Sequence, residues 1–115
     1  MEIKFVLKYH YLVTEEDIPK LPKIWKIKIK EGIEGRLMVE PELYGKPLRR
    51  SLKGYRKLRI GDYRIIFRIE KHFIKIFVIQ HRSKNTYQLA EDLKERRKEF
   101  ESGKGKALRS LKDLR

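Results

Sequence analysis

The clearest alternation of apolar and charged residues lies between residues 55 and 69. Two runs, Tyr55–Ile60 and Tyr63–Ile69, flank Gly61-Asp62, and a Gly-containing dipeptide between alternating runs predicts a hairpin with a two-residue loop. That loop sets the register: Ile60 opposite Tyr63, Arg59 opposite Arg64, Lys57 opposite Ile66 and Tyr55 opposite Arg68. Successive side chains of a strand point to opposite faces. One face therefore collects Leu58, Ile60, Tyr63, Ile65, Phe67 and Ile69, and is a core face. The other collects Tyr55, Lys57, Arg59, Arg64, Ile66 and Arg68, a cationic plate carrying an aromatic ring.

Phe73–Gln80, beyond a turn at Glu70-Lys71-His72, is apolar on both faces except at Lys75. It predicts a strand inside the sheet or under helices. Ile3–Val13 predicts a first strand, and Thr14 with Asp17 resembles a capping box that starts a helix at Glu15. Pro19 and Pro22 keep that helix short. In Lys23–Val39, Trp25, Ile29, Ile33 and Leu37 recur at helical spacing, whereas the strand-like alternation from Trp25 soon ends. A helix is expected there, although Gly32 and Gly35 each cost it about 1 kcal/mol relative to Ala. Trp25 and its partners are then core.

Glu40–Lys53 predicts a loop, punctuated by Pro41, Gly45 and Pro47. Gln88–Phe100 predicts a helix with Leu89, Leu93 and Phe100 on one stripe. Ser102–Lys106 breaks it, and Leu108–Leu114 has room for a further helical turn or two. The expected architecture is α+β: an antiparallel sheet with a helical pair on one face, in the order β-α-α-β-β-β, then a C-terminal helical tail. Residues 1–88 form the domain and 89–115 the extension.

Charge sharpens the picture. The chain carries a formal net charge of +14, but residues 1–45 balance 8 basic against 8 acidic side chains. Residues 46–88 hold 13 against 2, and residues 89–115 hold 9 against 6. Like charges facing each other on a sheet repel, so a cationic plate is not built for stability and fits a polyanion such as nucleic acid. The absence of cysteine removes disulfides, thiol chemistry and thiolate metal sites. His10, His72 and His81 show no ligand spacing, so neither a metal nor a cofactor is expected. Without an apolar run of spanning length or a signal peptide, no membrane partner is expected and the cytoplasm is the expected compartment. Abundant Lys and Ile beside a single Asn also suit a heat-adapted source.

LPKIWKIKIKEGIEGRL, GKPLRRSLKGYRKLRIGDYRIIFRIE and IKIFVIQHRSKNTY, in that order and spacing, resemble the RelE-type toxins of the RelE/ParE superfamily. The most specific pieces are residues 58–64 and the ending His81-Arg82 to Tyr87. The resemblance covers residues 1–88. It implies a RelE-like small ribonuclease fold and a messenger-RNA interferase that cleaves transcripts on the ribosome and is silenced by a RelB-like antitoxin. In such enzymes the ribose 2′-OH attacks the adjacent phosphate, which inhibits translation by destroying the message.

Matched by position, the resemblance makes Lys57 and Arg64 the phosphate-binding cations, Arg82 an acid or charge stabiliser, and Tyr87 a base or stacking platform. A dense cationic site would favour the Tyr87 phenolate. Arg50, Lys53, Tyr55, Arg59, Arg68 and His81 are the surrounding candidates for RNA contact. Tyr55 stands where some members carry a second lysine. A regular turn at Lys71-His72 would put His81 on the cationic face and Arg82 behind it.

Plainer readings stand beside these. Arg56 and Arg59 can be solvated strand positions, His81 a structural histidine and Tyr63 a packing residue. The gyrase-poisoning ParE branch and a non-catalytic RNA-binding module are the alternative functions. The tail caps sheet or core surface, or else lies near the active face, where it extends a ribosome contact through Lys104, Lys106 and Arg109 or competes with the antitoxin's helix for a groove.

Overall fold

The computed structural model describes residues 5–101 and 105–108, with the side chains at 51, 86, 87 and 105–108 outside that description. Its centre is the hairpin expected from the alternation. Strand β3 (Arg56–Ile60) pairs with β4 (Tyr63–Glu70) in the expected register, with Ile60 opposite Tyr63, Arg59 opposite Arg64 and Lys57 opposite Ile66. Gly61 adopts φ +59, and a Cβ there would collide with the Trp25 ring. The turn therefore needs glycine twice, for its backbone and for its close neighbour. Trp25 also packs on Tyr63, ring centroids 5.3 Å apart.

Strand β5 (Phe73–His81) follows β4, and β1 (Val6–His10) lies beyond β5. The β1–β5 pair is parallel, unlike the other ladders. Parallel neighbours need a crossover. Residues 11–45 supply one, carrying α1 (Lys23–Gly32) across one face. A two-residue strand β2 (Lys46–Pro47) edges β3, and β6 (Gly105–Leu108) edges β1, giving the order β2-β3-β4-β5-β1-β6. Part of the tail expected to be a broken helix is thus a strand, paired antiparallel with Leu7–His10. Residues 109–115, which include most of the expected last turn and Arg109, lie outside the described residues, as does Lys104.

Helix α1 continues into a wide turn at Ile33–Leu37, closed by the Met38 N–H donating to the Ile33 carbonyl at 3.2 Å. Ile29, Ile33 and Leu37 are fully buried against Leu58, Ile65, Phe67, Ile74 and Ile76. The segment 40–53 contains a short helix α2 (Pro41–Tyr44) that the proline punctuation hid. Arg56 donates to the Gly45 carbonyl at 2.9 Å and so ties this segment to β3.

The opposite face of the sheet is not open. Helix α3 (Thr86–Glu101) lays Leu89, Leu93 and Phe100 over Tyr55, Ile66, Phe77 and Val78, a second core. β5 lies between the two cores, which is why its sequence is apolar on both sides. Among the described residues no helix is long and apolar enough to cross a membrane.

The ladder β4–β5 is interrupted: Ile66 pairs with Val78 but Phe67 with Ile76, leaving Phe77 as an extra residue. Such a bulge frees backbone groups that must find other partners. Arg96 of α3 donates to the Phe77 carbonyl at 2.9 Å and to Asp17 at 2.8 Å, while Asp17 accepts the Ile79 N–H at 3.0 Å. Asp17 is therefore not the capping partner of Thr14, whose hydroxyl donates to the Tyr11 carbonyl instead. The helical turn at Val13–Asp17 begins earlier than expected and its acid reaches across to the sheet.

Next to this strap, His10 is fully buried. Its Nδ1 accepts the Leu12 N–H at 3.0 Å, so in the neutral ring Nε2 carries the proton and donates to Glu99 at 3.1 Å. Burial, reinforced by the nearby Arg96 charge and opposed by Glu99, holds the His10 pKa below its ordinary value. An unfolded histidine protonates near pH 6.5. Its stability contribution is thus complete above that pH and is lost as pH falls towards the lower folded value. The melting temperature should drop between pH 7 and 5, and His10→Gln should flatten part of that drop. Identical pH profiles for parent and variant would show that His10 does not titrate in this window.

Candidate functional site

Cross-strand register assembles the site. Arg59 of β3, Arg64 of β4 and Gln80 of β5 lie in one row, since Arg64 is opposite both neighbours. Lys57, two residues from Arg59, shares their face. Arg59 is exposed, while Lys57 and Arg64 are half-buried. Burial pushes the Arg64 guanidinium below its ordinary pKa, which marks a charge stripped of part of its water.

The segment after β5 closes over one end of the row. Arg64 Nη2 donates to the Lys84 carbonyl at 2.7 Å. The Arg82 N–H donates to the Asp62 carbonyl at 2.8 Å, and its guanidinium lies 3.3 Å from the Asp62 carboxylate. Both partners are more than half exposed, so this pair is easily exchanged for an incoming anion. Arg59 Nε donates to the Gly61 carbonyl at 3.2 Å.

Arg64, Arg59 and Lys57 thus share one face of the hairpin, and Arg82 is held at its turn. The Tyr87 side chain lies outside the described residues, although its backbone sits in the first turn of α3.

Three of the expected RNA contacts are placed elsewhere. Tyr55 is buried, packed edge-on against Phe77 with ring centroids 5.2 Å apart. Arg68 lies over the Tyr55 ring at 5.2 Å and 3.4 Å from Glu70, with a side chain 20% exposed. Both belong to the α3-covered part of the face, because α3 brings Leu89 and Leu93 onto Ile66 and its neighbours. His81 is the third. The bulge at Phe77 reverses the expected parity, pairs His81 with Tyr63, and sets the two rings edge-to-face at 5.3 Å on the α1 side. Its Nδ1 accepts the Ser83 N–H at 3.1 Å, a local turn contact.

Arg50 and Lys53 are exposed. Lys53 borders a separate hollow of about 490 Å³ with Lys94, Arg97 and Lys98 of α3. Glu91 and Glu101 share that hollow, which weakens its field.

A cleft of about 520 Å³ opens at the end of β5, between the Val13–Asp17 turn and α3. Gln80, His81, Lys84 and Tyr63 border it, with Asp92 and Glu95 among its carboxylates. Gln80, Asp62 and Lys84 are not among the site residues expected from the sequence, where Asp62 stands only as a turn residue. Gln80 reaches the cationic face only through the bulge, and no periodicity signals a bulge. The polar run 81–85 is a weak signal for Lys84.

The comparisons with known proteins agree in direction. The family described as ParE toxin of type II toxin–antitoxin system, parDE, matches residues 8–86. Toxin RelE of Mycobacterium tuberculosis (strain ATCC 25618 / H37Rv) is 35% identical over 80 residues, 65% of this chain and 82% of that protein. Toxin RelG of the same strain is 36% identical over 67 residues, 58% of this chain and 77% of that protein. The crystal structure of the toxin–antitoxin complex RelBE2 from Mycobacterium tuberculosis contains a similar chain with TM-score 0.63 and 31% identity. That likeness covers 69% of this chain and 99% of the other. The family match ends where α3 begins.

Proposed function

Since this chain belongs to the ParE toxin family of type II toxin–antitoxin systems, within the RelE/ParE superfamily, we propose that it is the ribonuclease kind of toxin. In this reading it cleaves messenger RNA on the ribosome, inhibits translation and is silenced by a RelB-like antitoxin. The observation that carries the reading is the row Arg59–Arg64–Gln80 beside Lys57. Arg59 and Arg64 are directly opposed on adjacent strands, an arrangement that costs stability, and Arg64 is partly desolvated as well. A phosphate group repays both costs.

The reaction needs little beyond positioning and charge. The ribose 2′-oxygen attacks phosphorus, the bond to the 5′-oxygen breaks, and the products are a 2′,3′-cyclic phosphate and a 5′-hydroxyl. A base removes the 2′ proton and an acid protonates the departing 5′-oxygen. Arg64 and Lys57 bind the non-bridging oxygens and stabilise the charge that develops on them. Half-burial strengthens this, because a guanidinium acts more strongly where water is partly excluded. Arg82, held at the rim by Asp62, swings from carboxylate to phosphate and serves the leaving group. Tyr87 takes the base or stacking role.

One observation favours a second reading: the matching family carries the ParE name, and gyrase poisoning by protein contact needs none of these cations. Mapping transcript 5′ ends with and without ribosomes, while scoring gyrase-dependent DNA breaks, separates the two. Ribosome-dependent 5′-hydroxyl ends support the proposal. DNA breaks without new transcript ends support the other.

Affinity for single-stranded RNA should fall steeply with salt, through counterion release. Arg59→Gln should reduce the slope of log K against log salt by about 0.7 for the phosphate contact it loses. Arg68→Gln should leave the slope unchanged, because its charge is already engaged by Glu70 under α3. Equal effects from the two substitutions would mean that α3 does not divide the plate.

A further inference from the structure

Two buried donors belong to neighbouring residues and find no acceptor among the described residues. Arg64 Nε and Gln80 Nε2 are both shielded from solvent and make no hydrogen bond there, and their residues are direct cross-strand partners. Side chains of such a pair lie within mutual reach on one face. A buried donor left unpaired is costly, and two in contact with one cationic row call for a shared acceptor. Of the carboxylates bordering the neighbouring cleft, three are engaged elsewhere: Asp17 by Arg96 and Ile79, Glu99 by His10 and Tyr11, and Asp92 by Gln88.

We infer that Gln80 is a substrate-binding residue, whose side-chain amide donates together with Arg64 Nε to the oxygens of one RNA phosphodiester. The inference deepens the ribonuclease reading and rests on it for the identity of the anion. The row then acts as a unit: Arg59 at the exposed end draws in the backbone, and Arg64 and Gln80 fix one phosphate at the half-buried end. A neutral amide suits the inner position. It adds a directed donor without a third cation to repel Arg59 and Arg64. The carboxylates of the adjoining cleft repel an anion, so the phosphate sits on the Arg64 side of the amide.

The chain has only Gln80, Asn85 and Gln88 as side-chain amides, so their NMR signals are individually readable. On titration of the 15N-labelled protein with a 2′-O-methyl trinucleotide, which cannot be cleaved, the Gln80 NH₂ pair should shift. The Gln88 pair, whose Nε2 donates to Asp92 at 3.1 Å, should stay. Inorganic phosphate at equal concentration should shift the Gln80 pair less, since it lacks the flanking ribose and Arg59 contacts. An unmoved Gln80 pair with both ligands overturns the inference. So does an equal response to both, which would reduce the site to one for free phosphate.

On ribosome-bound message, Gln80→Leu should lower kcat/KM by about ten- to a hundredfold with an equal or raised melting temperature. Gln80→Glu should be worse, because it sets a carboxylate against the phosphate. A scaffolding role predicts the reverse, with loss of stability and no preference for leucine over glutamate. If the parent does not cleave ribosome-bound message, the ribonuclease reading fails, and the amide shift still decides whether Gln80 binds a phosphodiester.

Discussion

Arg64→Ala should yield a folded protein that cleaves ribosome-bound message on the order of 10²–10³ more slowly than the parent, the usual cost of one positioned electrostatic group. Growth arrest on expression should be relieved. The fold should survive because the Lys84 carbonyl that Arg64 releases belongs to an exposed residue, where water replaces the lost donor. Removing one of two opposed cations also relieves the repulsion from Arg59. The expected signature is therefore loss of activity with equal or slightly raised stability, seen by comparing cleavage rates with urea midpoints. Cleavage at the parental rate by the folded variant would remove Arg64 from the mechanism. Gyrase-dependent killing that survives the substitution would shift the function to the ParE branch.

Arg96→Leu should cost about 3–5 kcal/mol of stability, the range for breaking one side of a buried ion pair. The Arg96 and Asp17 side chains are 11% and 12% exposed. Loss of the guanidinium strands the Asp17 carboxylate and the Phe77 carbonyl together. Both hold the bulge that sets the parity of β5 beyond Phe77. Adding Asp17→Leu should recover part of the loss, since no unpaired charge then remains buried. Urea denaturation of the two single variants and the double variant measures this. A single variant within about 0.5 kcal/mol of the parent would mean that the strap is decorative. Because Gln80 reaches the cationic row only through the bulge, Arg96→Leu should also weaken RNA cleavage from a distance, with KM rising more than kcat falls.

Local pattern was enough for the hairpin, its register and its core face. Side-chain alternation is imposed by the backbone of each strand, and a two-residue loop leaves no freedom in pairing. The helix from Lys23 was legible for a similar reason: Ile29, Ile33 and Leu37 form one buried stripe. The gathering of Lys57, Arg59 and Arg64 followed from the same register. The likeness to RelE-type toxins, read from residues 58–64 and 81–87, is matched by the family and its relatives.

Tertiary contacts decided what shares a site. The alternation placed Tyr55, Arg68 and Arg64 on one face, but could not show that α3 would bury the first, lie over the region of the second and leave the third beside the open end. That division depends on where Leu89, Leu93 and Phe100 find apolar surface, a long-range choice. The positions of His81 and Gln80 depended on one extra residue, Phe77. A bulge leaves no mark in a strand that is apolar on both faces, since either register presents apolar side chains to both cores. Here Asp17 and Arg96, 79 residues apart in the chain, selected the register by satisfying the backbone groups that the bulge sets free. Hydrogen bonds between residues so distant in sequence have no periodicity, and only the folded chain brings them together.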